Sequence, residues 1–344
     1  MAPFDILQAP SEAKHRIGTA WLLLLAVSSI AVWRIAEHVS LRLGPDSELM
    51  LQAATVMIRA SEVIRNEKAS RGLLQGRDLD PNQTGLIGPE WSKTMTTIGS
   101  LQAKRTLTNP DAAALLARLF RKTNLHAGDP VGVILSGSFV GGNVAVLSAL
   151  ESYGLRPSVI SSLGASMYGA ADPTFTWLDM EAAVRAQGVW RIQSKRASLG
   201  GEAGMAKDLG DEARRALDAA VRRSGVPLIE GRTFADAVRE SATVLGLGSN
   251  ANTKAAAKPG LLINVGGAQL ALGDCPEAAD IPPGLITRPV SCSRGTPGLV
   301  QIALNRGIPV LNVFKVKELA QHYGLPLDPV PLPAPGRNPF IYAR

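Results

Sequence analysis

Residues 130–154, PVGVILSGSFVGGNVAVLSALESYG, determine the fold class that we predict for this chain. The apolar run VGVIL (131–135) predicts a buried strand, and a turn rich in serine and glycine follows it. The next segment predicts a helix over 142–153, because Gly154 is typical of the residue just past a helix C-terminus. A strand, a short turn and a helix in this order form the basic unit of an α/β fold.

The same alternation continues along the chain. Further strands are predicted at SVIS (158–161), 190–193, 227–229, LLINV (261–265) and IPVLNV (308–313). Helices are predicted between them, for example over 208–223. Apolar, β-branched strands that alternate with helices predict a mostly parallel, doubly wound sheet of about six strands, in an α/β domain over 99–325.

The N-terminal part of the chain predicts a membrane anchor. Residues 17–32, IGTAWLLLLAVSSIAV, carry no charge, and Trp33 extends the run. A helix that crosses a bilayer needs about 20 mostly apolar residues, so the uncharged run is slightly short. Trp21 and Trp33 suit the membrane interfaces, and we predict a transmembrane helix over 17–36 after an N-terminal segment, 1–16. A cleaved signal peptide is the alternative, because SIA (29–31) resembles a cleavage site.

Two further segments flank the predicted domain. Apolar residues at helical spacing over 46–69 predict a juxtamembrane helix, within a helix and connector that we place at 37–98. The C-terminal segment 326–344 carries six prolines and predicts an irregular extension.

The chain has two cysteines, and they bear on its orientation in the membrane. Basic residues are equally frequent on the two sides of the apolar run, so the distribution of positive charge does not assign an orientation. Cys275 and Cys292 lie in one loop rich in proline and glycine, and such a pair closes a disulfide in an exported protein. That bond would stabilise the fold by roughly 3 kcal/mol. Two reduced thiols are the alternative, and zinc is not expected because no second pair of ligands lies nearby.

Composition narrows the possible partners. The 36 basic and 29 acidic side chains give a net charge of +7, which favours anionic partners such as lipid head groups or polyanions. Nucleic acid is not expected, because there is no run of five basic residues and no nucleic-acid motif. No phosphate-binding loop of the G-x-x-x-x-G-K-[ST] type occurs, and we predict no cofactor and no metal. The four histidines are scattered, which argues against a Ser-His-Asp triad.

The candidate site lies at the ends of the predicted strands. In an open parallel sheet, ligands bind beyond the carboxyl ends of the strands, where backbone N–H groups at helix N-termini favour anions. Several strand ends carry serine, glycine or asparagine. The candidate ligand-binding residues there are Gly137, Ser162, Gly164, Ser166, Gly200, Gly201, Asn264, Gly266 and Gly267. Ordinary turn chemistry is the alternative explanation, because any turn between a strand and a helix favours these residues.

A few side chains suggest more specific chemistry. Ser136 and Ser138 are candidates for a nucleophile or an oxyanion donor, and Glu202 is a candidate general base in a glycine-rich turn. In TTIGSLQAKRT (96–106), Lys104 and Arg105 are candidates for clamping a carboxylate. A solvated basic turn, and for Glu202 a plain turn residue, are the alternatives.

Four stretches carry a resemblance to a known family. TTIGSLQAKRTLTNPD (96–111), VILSGSFVGGNVAVLSALE (133–151), VISSLGAS (159–166) and DPTFTWLDME (172–181) resemble the bacterial poly-gamma-glutamate system protein family. This resemblance implies an accessory role beside the machinery that makes and exports poly-γ-glutamate. It implies the polymer and the synthase subunits as partners. The predicted anchor adds the lipid bilayer, and with the cysteine pair it predicts a single-pass protein of the bacterial cytoplasmic membrane with its α/β domain outside. It implies no catalytic residues. The layout LSGSFVGG (135–142) is also similar to the phosphate-binding loops of sugar isomerases.

Three functional hypotheses follow from the sequence. The first is an accessory protein that binds an anionic polymer or its synthase through the loops at the strand ends. The second is an amide hydrolase or transferase that trims, releases or attaches the polymer. The third is a sensor of sugar phosphates that faces the cytoplasm.

Overall fold

The computed structural model describes residues 18–38, 44–248 and 257–343, and it divides them into two units. The first unit contains the helix α1 (Thr19–His38), whose apolar side chains from Trp21 to Trp33 are exposed. Within the described residues, no helix reaches the length and mean hydropathy of a membrane span. The N-terminal segment predicted at 1–16 lies outside the described residues.

The second unit contains the sheets and the remaining helices. Its strands are β1 (Met95–Thr97), β2 (Pro130–Ser136), β3 (Arg156–Ser162), β4 (Ala165–Ser166), β5 (Ser194–Ser198), β6 (Leu261–Val265), β7 (Gly284–Ile286) and β8 (Val310–Val313). Its α-helices are α2 (Ser47–Ser70), α3 (Leu101–Thr106), α4 (Asp111–Arg121), α5 (Val140–Tyr153), α6 (Trp177–Ala186), α7 (Asp211–Ser224), α8 (Phe234–Val244), α9 (Gln269–Leu272), α10 (Leu299–Asn305), α11 (Val316–Tyr323) and α12 (Pro339–Tyr342).

The main sheet has six strands in the order β5-β3-β2-β6-β8-β7. All neighbouring pairs are parallel except β7 and β8, which are antiparallel. Two short strands, β1 and β4, form a separate parallel pair. The predicted α/β class with a mostly parallel sheet of six strands is therefore confirmed.

The sheet is covered on both faces because its central strands are apolar on both faces. Along β2, Val133 and Leu135 join one hydrophobic cluster, with residues of α2, α4 and α5, whereas Ile134 joins a second cluster, with residues of α8, α9 and α10. Alternate residues of a strand point to opposite faces of its sheet, so these two clusters lie on opposite sides. This arrangement confirms the doubly wound architecture.

The structure differs from the predicted strands at the two edges of the sheet. Residues 190–193 are not a strand; Trp190 is buried in the core, and β5 begins at Ser194. Residues 227–229 contribute only an isolated bridge, between Leu228 and Ala197. The antiparallel strand β7 was not predicted. An edge strand makes fewer apolar contacts than a central one, so β5 (SKRAS) and β7 (GLI) carry no long apolar run.

The division of the chain also differs from the predicted segments. The described residues from Gly44 onward form one compact unit. The helix α2 lies in the core, where Met57 and Ile64 are fully buried. The end of the proline-rich segment is also buried, because α12 carries Ile341 and Tyr342 into the core and Tyr342 Oη donates to Asp111 Oδ1 over 2.7 Å.

The two cysteines form a disulfide. Cys275 and Cys292 are 17 residues apart and close the loop that leads into and out of β7. A covalent link over a loop of this length restricts the unfolded chain and stabilises this edge of the sheet.

Candidate functional site

A cleft opens at the carboxyl ends of β2 and β6, where the chain changes direction across the sheet. From β2 the chain continues to β3 and β5 on one side, and from β6 it continues to β8 on the other. The loops that follow β2 and β6 therefore turn away from each other and leave a crevice between them. The crevice has a volume of about 820 Å³. This volume lies within the range of small-molecule sites, about 300–1,000 Å³.

The loops at the strand ends converge on this cleft. Of the site residues predicted from the sequence, those that line it are Lys104, Ser136, Ser138, Ser162, Gly164, Ser166, Gly200, Gly201, Glu202 and Gly267. They come from α3, from β4, from the ends of β2, β3 and β5, and from the turn after β6. Residues 96–100 and 314–318 also line the cleft.

Hydrogen bonds join the loops directly to one another. The Gly137 N–H donates to Ser162 O over 2.7 Å, which joins the loop after β2 to the end of β3. The Gly164 N–H donates to Leu199 O over 2.8 Å, which joins the loops after β3 and β5. These bonds fix the walls of the cleft before any ligand binds.

Two glycines are needed for this close contact between loops. A Cβ atom at Gly137 would lie 2.5 Å from Leu163 O, and one at Gly200, whose φ is +79°, would lie 2.7 Å from the backbone nitrogen of Gly164. Neither position has room for a larger residue. These glycines therefore serve the approach of one loop to another, in addition to any role in binding.

Lys104 reaches the floor of the cleft from α3. Its side chain is buried, with 4% exposed, and its Nζ lies 2.7 Å from Ser166 Oγ. The ammonium also donates to Ser138 O and lies 4.6 Å from the centroid of the Phe139 ring. Burial lowers the pKa of Lys104 from its ordinary 10.5 to about 7. At neutral pH this amine therefore exists in both protonation states.

The serines around Lys104 play different parts. Ser166 is buried, and its N–H donates to Ser138 Oγ over 3.0 Å. Ser136 Oγ accepts the Ser138 N–H over 3.2 Å, and Asn143 Nδ2 donates to Ser136 O over 2.8 Å. The predicted nucleophile Ser136 thus holds the turn after β2, whereas Ser166 is the serine hydroxyl in contact with the lysine.

The predicted base Glu202 lies at the rim of the cleft. It is exposed, in a short 3-10 turn, and its N–H donates to Asp208 Oδ1 over 2.6 Å. Its backbone position is therefore fixed, but its carboxylate faces solvent. Asp208 also lines the cleft and was not predicted from the sequence.

Four predicted ligand-binding residues lie outside the lining of the cleft. The Arg105 guanidinium donates to Leu79 O and Asp78 O and pairs with Asp328, so it holds the connector and the C-terminal segment together. Asn264 is fully buried and donates to Gly266 O and to Asn312 Oδ1. Gly137 and Gly266 lie behind the lining, where a Cβ atom at Gly266 would lie 3.0 Å from Ser136 Cβ.

The residues that follow β8 also belong to the site, although they were not predicted from the sequence. The residues after this strand, Phe314, Lys315 and Lys317, line the cleft opposite the serine-rich loops. Lys315 Nζ donates to Ala279 O over 2.7 Å, and Lys317 is exposed at the start of α11. The signal was present, because a strand end followed by FKVKE (314–318) obeys the same rule as the other strand ends.

The charges on the cleft are balanced. Among the described residues of its lining, three are lysines and three are carboxylates, Glu202, Asp208 and Glu318. One of the lysines, Lys104, is partly neutral at pH 7. The cleft therefore offers donors and acceptors together, which suits a ligand that carries carboxylates and amides side by side.

No family model, no curated protein and no solved structure matches this chain.

Proposed function

We propose that this chain is a membrane-anchored accessory component of the synthesis or export of an anionic, amide-linked polymer such as poly-γ-glutamate, and that its cleft binds the polymer beside its synthase. One observation carries the proposal. Loops from β2, β3, β5, β6 and β8, together with Lys104 from α3, converge on a single cleft. The resemblance of 96–181 to the poly-gamma-glutamate system proteins supports this choice of ligand.

The chemistry of the lining matches such a polymer. Lys315 and Lys317 supply cations for side-chain carboxylates, and the serine hydroxyls supply further donors. Glu202 and Asp208 supply acceptors for the N–H groups of the amide backbone. Phe139 and Phe314 supply apolar surface for the methylene groups between amides. A polymer with a carboxylate and an amide in each unit uses all of these groups.

The membrane anchor is part of the same proposal. The described part of 17–36 is helical, and its apolar residues from Trp21 to Trp33 are exposed, which favours burial of this face in lipid. The Cys275–Cys292 disulfide supports a location of the α/β domain outside the cytoplasm, because disulfides persist in oxidising compartments. Extraction of membranes with alkaline carbonate tests the anchor. The chain is expected in the membrane pellet, and its recovery in the supernatant would contradict the anchor.

Calorimetric titration of the full chain with poly-γ-glutamate tests the binding. The polymer is expected to bind at low ionic strength and to bind more weakly as salt is added. Replacing both Lys315 and Lys317 by glutamine removes two charge-assisted contacts and should weaken binding about tenfold or more. The matched control replaces Lys122 and Lys195, two exposed lysines outside the cleft lining, with the same loss of charge. Undetectable binding, or equal weakening in both double variants, would contradict a site in the cleft.

A further inference from the structure

The contact between Lys104 and Ser166 differs from an ordinary buried ion pair. Lys104 Nζ lies 2.7 Å from a hydroxyl oxygen, and burial lowers the pKa of this amine. A buried ammonium normally has a carboxylate beside it, because an unpaired charge in a protein interior is costly. The charged groups on the rest of the cleft are Lys315, Lys317, Glu202, Asp208 and Glu318. Lys104 forms its hydrogen bonds instead with Ser138 O and Ser166 Oγ.

We infer that Lys104 and Ser166 form a serine–lysine pair that cleaves or transfers an amide-linked acyl group in the cleft. For its substrate the inference rests on the proposed function, which supplies an amide flanked by carboxylates. For its chemistry it rests on the contact itself. A desolvated lysine next to a serine is a known alternative to a histidine base.

The protonation of the pair explains how it would work. The protonated amine donates to Ser166 Oγ, whereas the neutral amine offers a lone pair that accepts the Ser166 hydroxyl proton. The neutral Lys104 keeps an N–H to donate to Ser138 O, so its position does not change. Because its pKa is about 7, a substantial fraction of Lys104 is neutral at physiological pH.

The reaction would proceed in two balanced steps. In the first, Ser166 Oγ attacks the amide carbon while Lys104 Nζ takes the hydroxyl proton. The C–N bond then breaks, and Lys104 returns that proton to the departing amine. The product is an ester of Ser166. In the second step, water, or the amine of an acceptor chain, attacks this ester and gives a proton to Lys104. Lys104 finally returns the proton to Ser166 Oγ, which leaves a free acid or a new amide.

Neighbouring groups support the placement of the pair. Ser138 Oγ accepts the Ser166 N–H, which fixes the backbone of Ser166 and leaves the Ser138 hydroxyl proton to point toward a developing oxyanion. Gly99 lies against the pair, and a Cβ atom there would lie 3.0 Å from Ser166 Oγ. The Gly99 backbone therefore packs closely against Ser166, and a side chain at this position would displace the nucleophile.

The structure assigns these roles differently from the sequence. From the sequence, Ser136 and Ser138 were the candidates for nucleophile or oxyanion donor, and Glu202 was the candidate base. The Ser136 hydroxyl accepts the Ser138 N–H within the turn, and the Glu202 carboxylate is exposed at the rim of the cleft. Ser166 and Lys104 were predicted only as ligand-binding residues, yet their side chains are the ones in contact.

Covalent labelling of the full chain with a fluorophosphonate tests the inference. This reagent phosphonylates serines that a neighbouring base has activated. Intact mass and peptide mapping should show one adduct, on Ser166, and Ser166→Ala should remove it. Lys104→Met should slow labelling at least 100-fold. Ser148→Ala is the matched control, because Ser148 is fully buried in α5 and its Oγ has no partner among the described residues. It should label like the wild type.

The outcomes separate this inference from the proposed function. An adduct on Ser166 without binding of poly-γ-glutamate would uphold the pair and overturn the proposed polymer. Binding of the polymer without an adduct on Ser166 would overturn the pair and leave the proposed function intact. An adduct that persists in folded Ser166→Ala would also overturn the pair. If Lys104→Met does not fold, Ser166→Ala decides the matter, because it removes a single oxygen atom.

A second readout addresses the substrate. Poly-γ-glutamate incubated with the wild type should shift in chain length, measured by size-exclusion chromatography, and the shift should disappear with Ser166→Ala. Its rate should rise with pH around 7, as Lys104 loses its proton. A purely structural role for Lys104 would give no such profile.

Discussion

Two regions of the molecule each contain a lysine that is 4% exposed, and only one of them has the features of a reactive site. Lys68 lies on α2, under the connector, and its Nζ donates to Ile87 O over 3.0 Å. Burial lowers its pKa to about 8, while the negative charges of Asp80 and Asp172 act in the opposite direction. Lys104 lies in the cleft, beside the hydroxyl of Ser166.

The difference between these regions lies in the partner and not in the burial. A carbonyl oxygen such as Ile87 O only accepts a hydrogen bond, and nearby carboxylates favour the ammonium, so Lys68 serves as a fixed donor. A hydroxyl both accepts and donates, so Ser166 can give its proton to Lys104. A lowered pKa alone therefore does not mark a functional lysine; a proton donor beside it, in an open cleft, does.

The largest expected effect is on the reaction of Ser166. Replacing Lys104 by methionine should slow fluorophosphonate labelling at least 100-fold, because a general base contributes roughly 10²–10⁴-fold. Replacing Lys68 by methionine should leave the rate within about twofold in the folded protein. Rapid-quench labelling of both variants measures the contrast. Equal loss in the two variants would remove the distinction between the regions.

The next effect is on the pH dependence of stability. Both lysines have lowered pKa values, so above the folded pKa the unfolded chain binds more protons and stability rises with pH. The window for Lys104 runs from about 7 to 10.5, and the window for Lys68 from about 8 to 10.5. Between pH 7 and 8.5, Lys104 should add about 2 kcal/mol to the free energy of unfolding, and Lys68 less than about 1 kcal/mol.

Urea unfolding at the two pH values measures these increments. The increase in the free energy of unfolding between pH 7 and 8.5 should be about 2 kcal/mol smaller in Lys104→Met than in the wild type. In Lys68→Met it should be smaller by less than half of that amount. Glu181 provides a control of opposite sign. Burial raises the pKa of Glu181 to about 7. Between pH 4.5 and 7 the folded chain therefore binds more protons than the unfolded chain, and the free energy of unfolding falls as pH rises. Glu181→Gln should remove this decrease. An identical pH dependence in the wild type and Lys104→Met would contradict a desolvated amine.

A smaller effect is expected from Ser138. Replacing it by alanine removes the acceptor of the Ser166 N–H. It also removes the proposed oxyanion donor, while Lys104 and Ser166 remain. Labelling should slow about tenfold, the equivalent of roughly 1.4 kcal/mol. The midpoint of the pH profile should stay in place, because Lys104 still supplies the base. A midpoint displaced by a full pH unit would instead mark Ser138 as part of the titrating pair.

The smallest expected effect is the change in affinity for poly-γ-glutamate when Arg105, the sequence neighbour of Lys104, is replaced. Its guanidinium is bonded to Leu79 O, Asp78 O and Asp328, away from the cleft. Arg105→Gln should therefore change the affinity for poly-γ-glutamate less than about twofold in the folded protein, measured by calorimetry. A loss comparable to that of the Lys315 and Lys317 double variant would place Arg105 in the binding surface.

The sequence predicted the central part of the fold well for a physical reason. Strands β2 and β6 are buried on both faces, so VGVIL and LLINV are continuous apolar runs that no surface element would carry. Because β2 and β6 are parallel neighbours, their carboxyl ends share one edge of the sheet, and the convergence of Ser138 and Gly267 follows. The position of the cleft in the fold was therefore predictable from the sequence.

The reactive pair was not predictable, because it depends on contacts without a local signal. Lys104 and Ser166 are 62 residues apart. They meet because β1 pairs with β4 through the partners Thr97 and Ser166, and these strands have only three and two residues. Strands this short have no periodicity to detect. The helix α2 was predicted from its periodicity, but its burial and that of Tyr342 depend on distant contacts and are visible only in the folded chain.

The titration of Lys104 itself tests the proposed serine–lysine pair at its base. Nuclear magnetic resonance of the lysine side chains, assigned with Lys104→Met and Lys68→Met, measures the midpoint of each amine. We expect a midpoint near 7 for Lys104, below that of Lys68 near 8, and we expect the Lys104 midpoint to move in Ser166→Ala. A midpoint for Lys104 near the ordinary 10.5, unchanged in Ser166→Ala, would contradict the proposed pair.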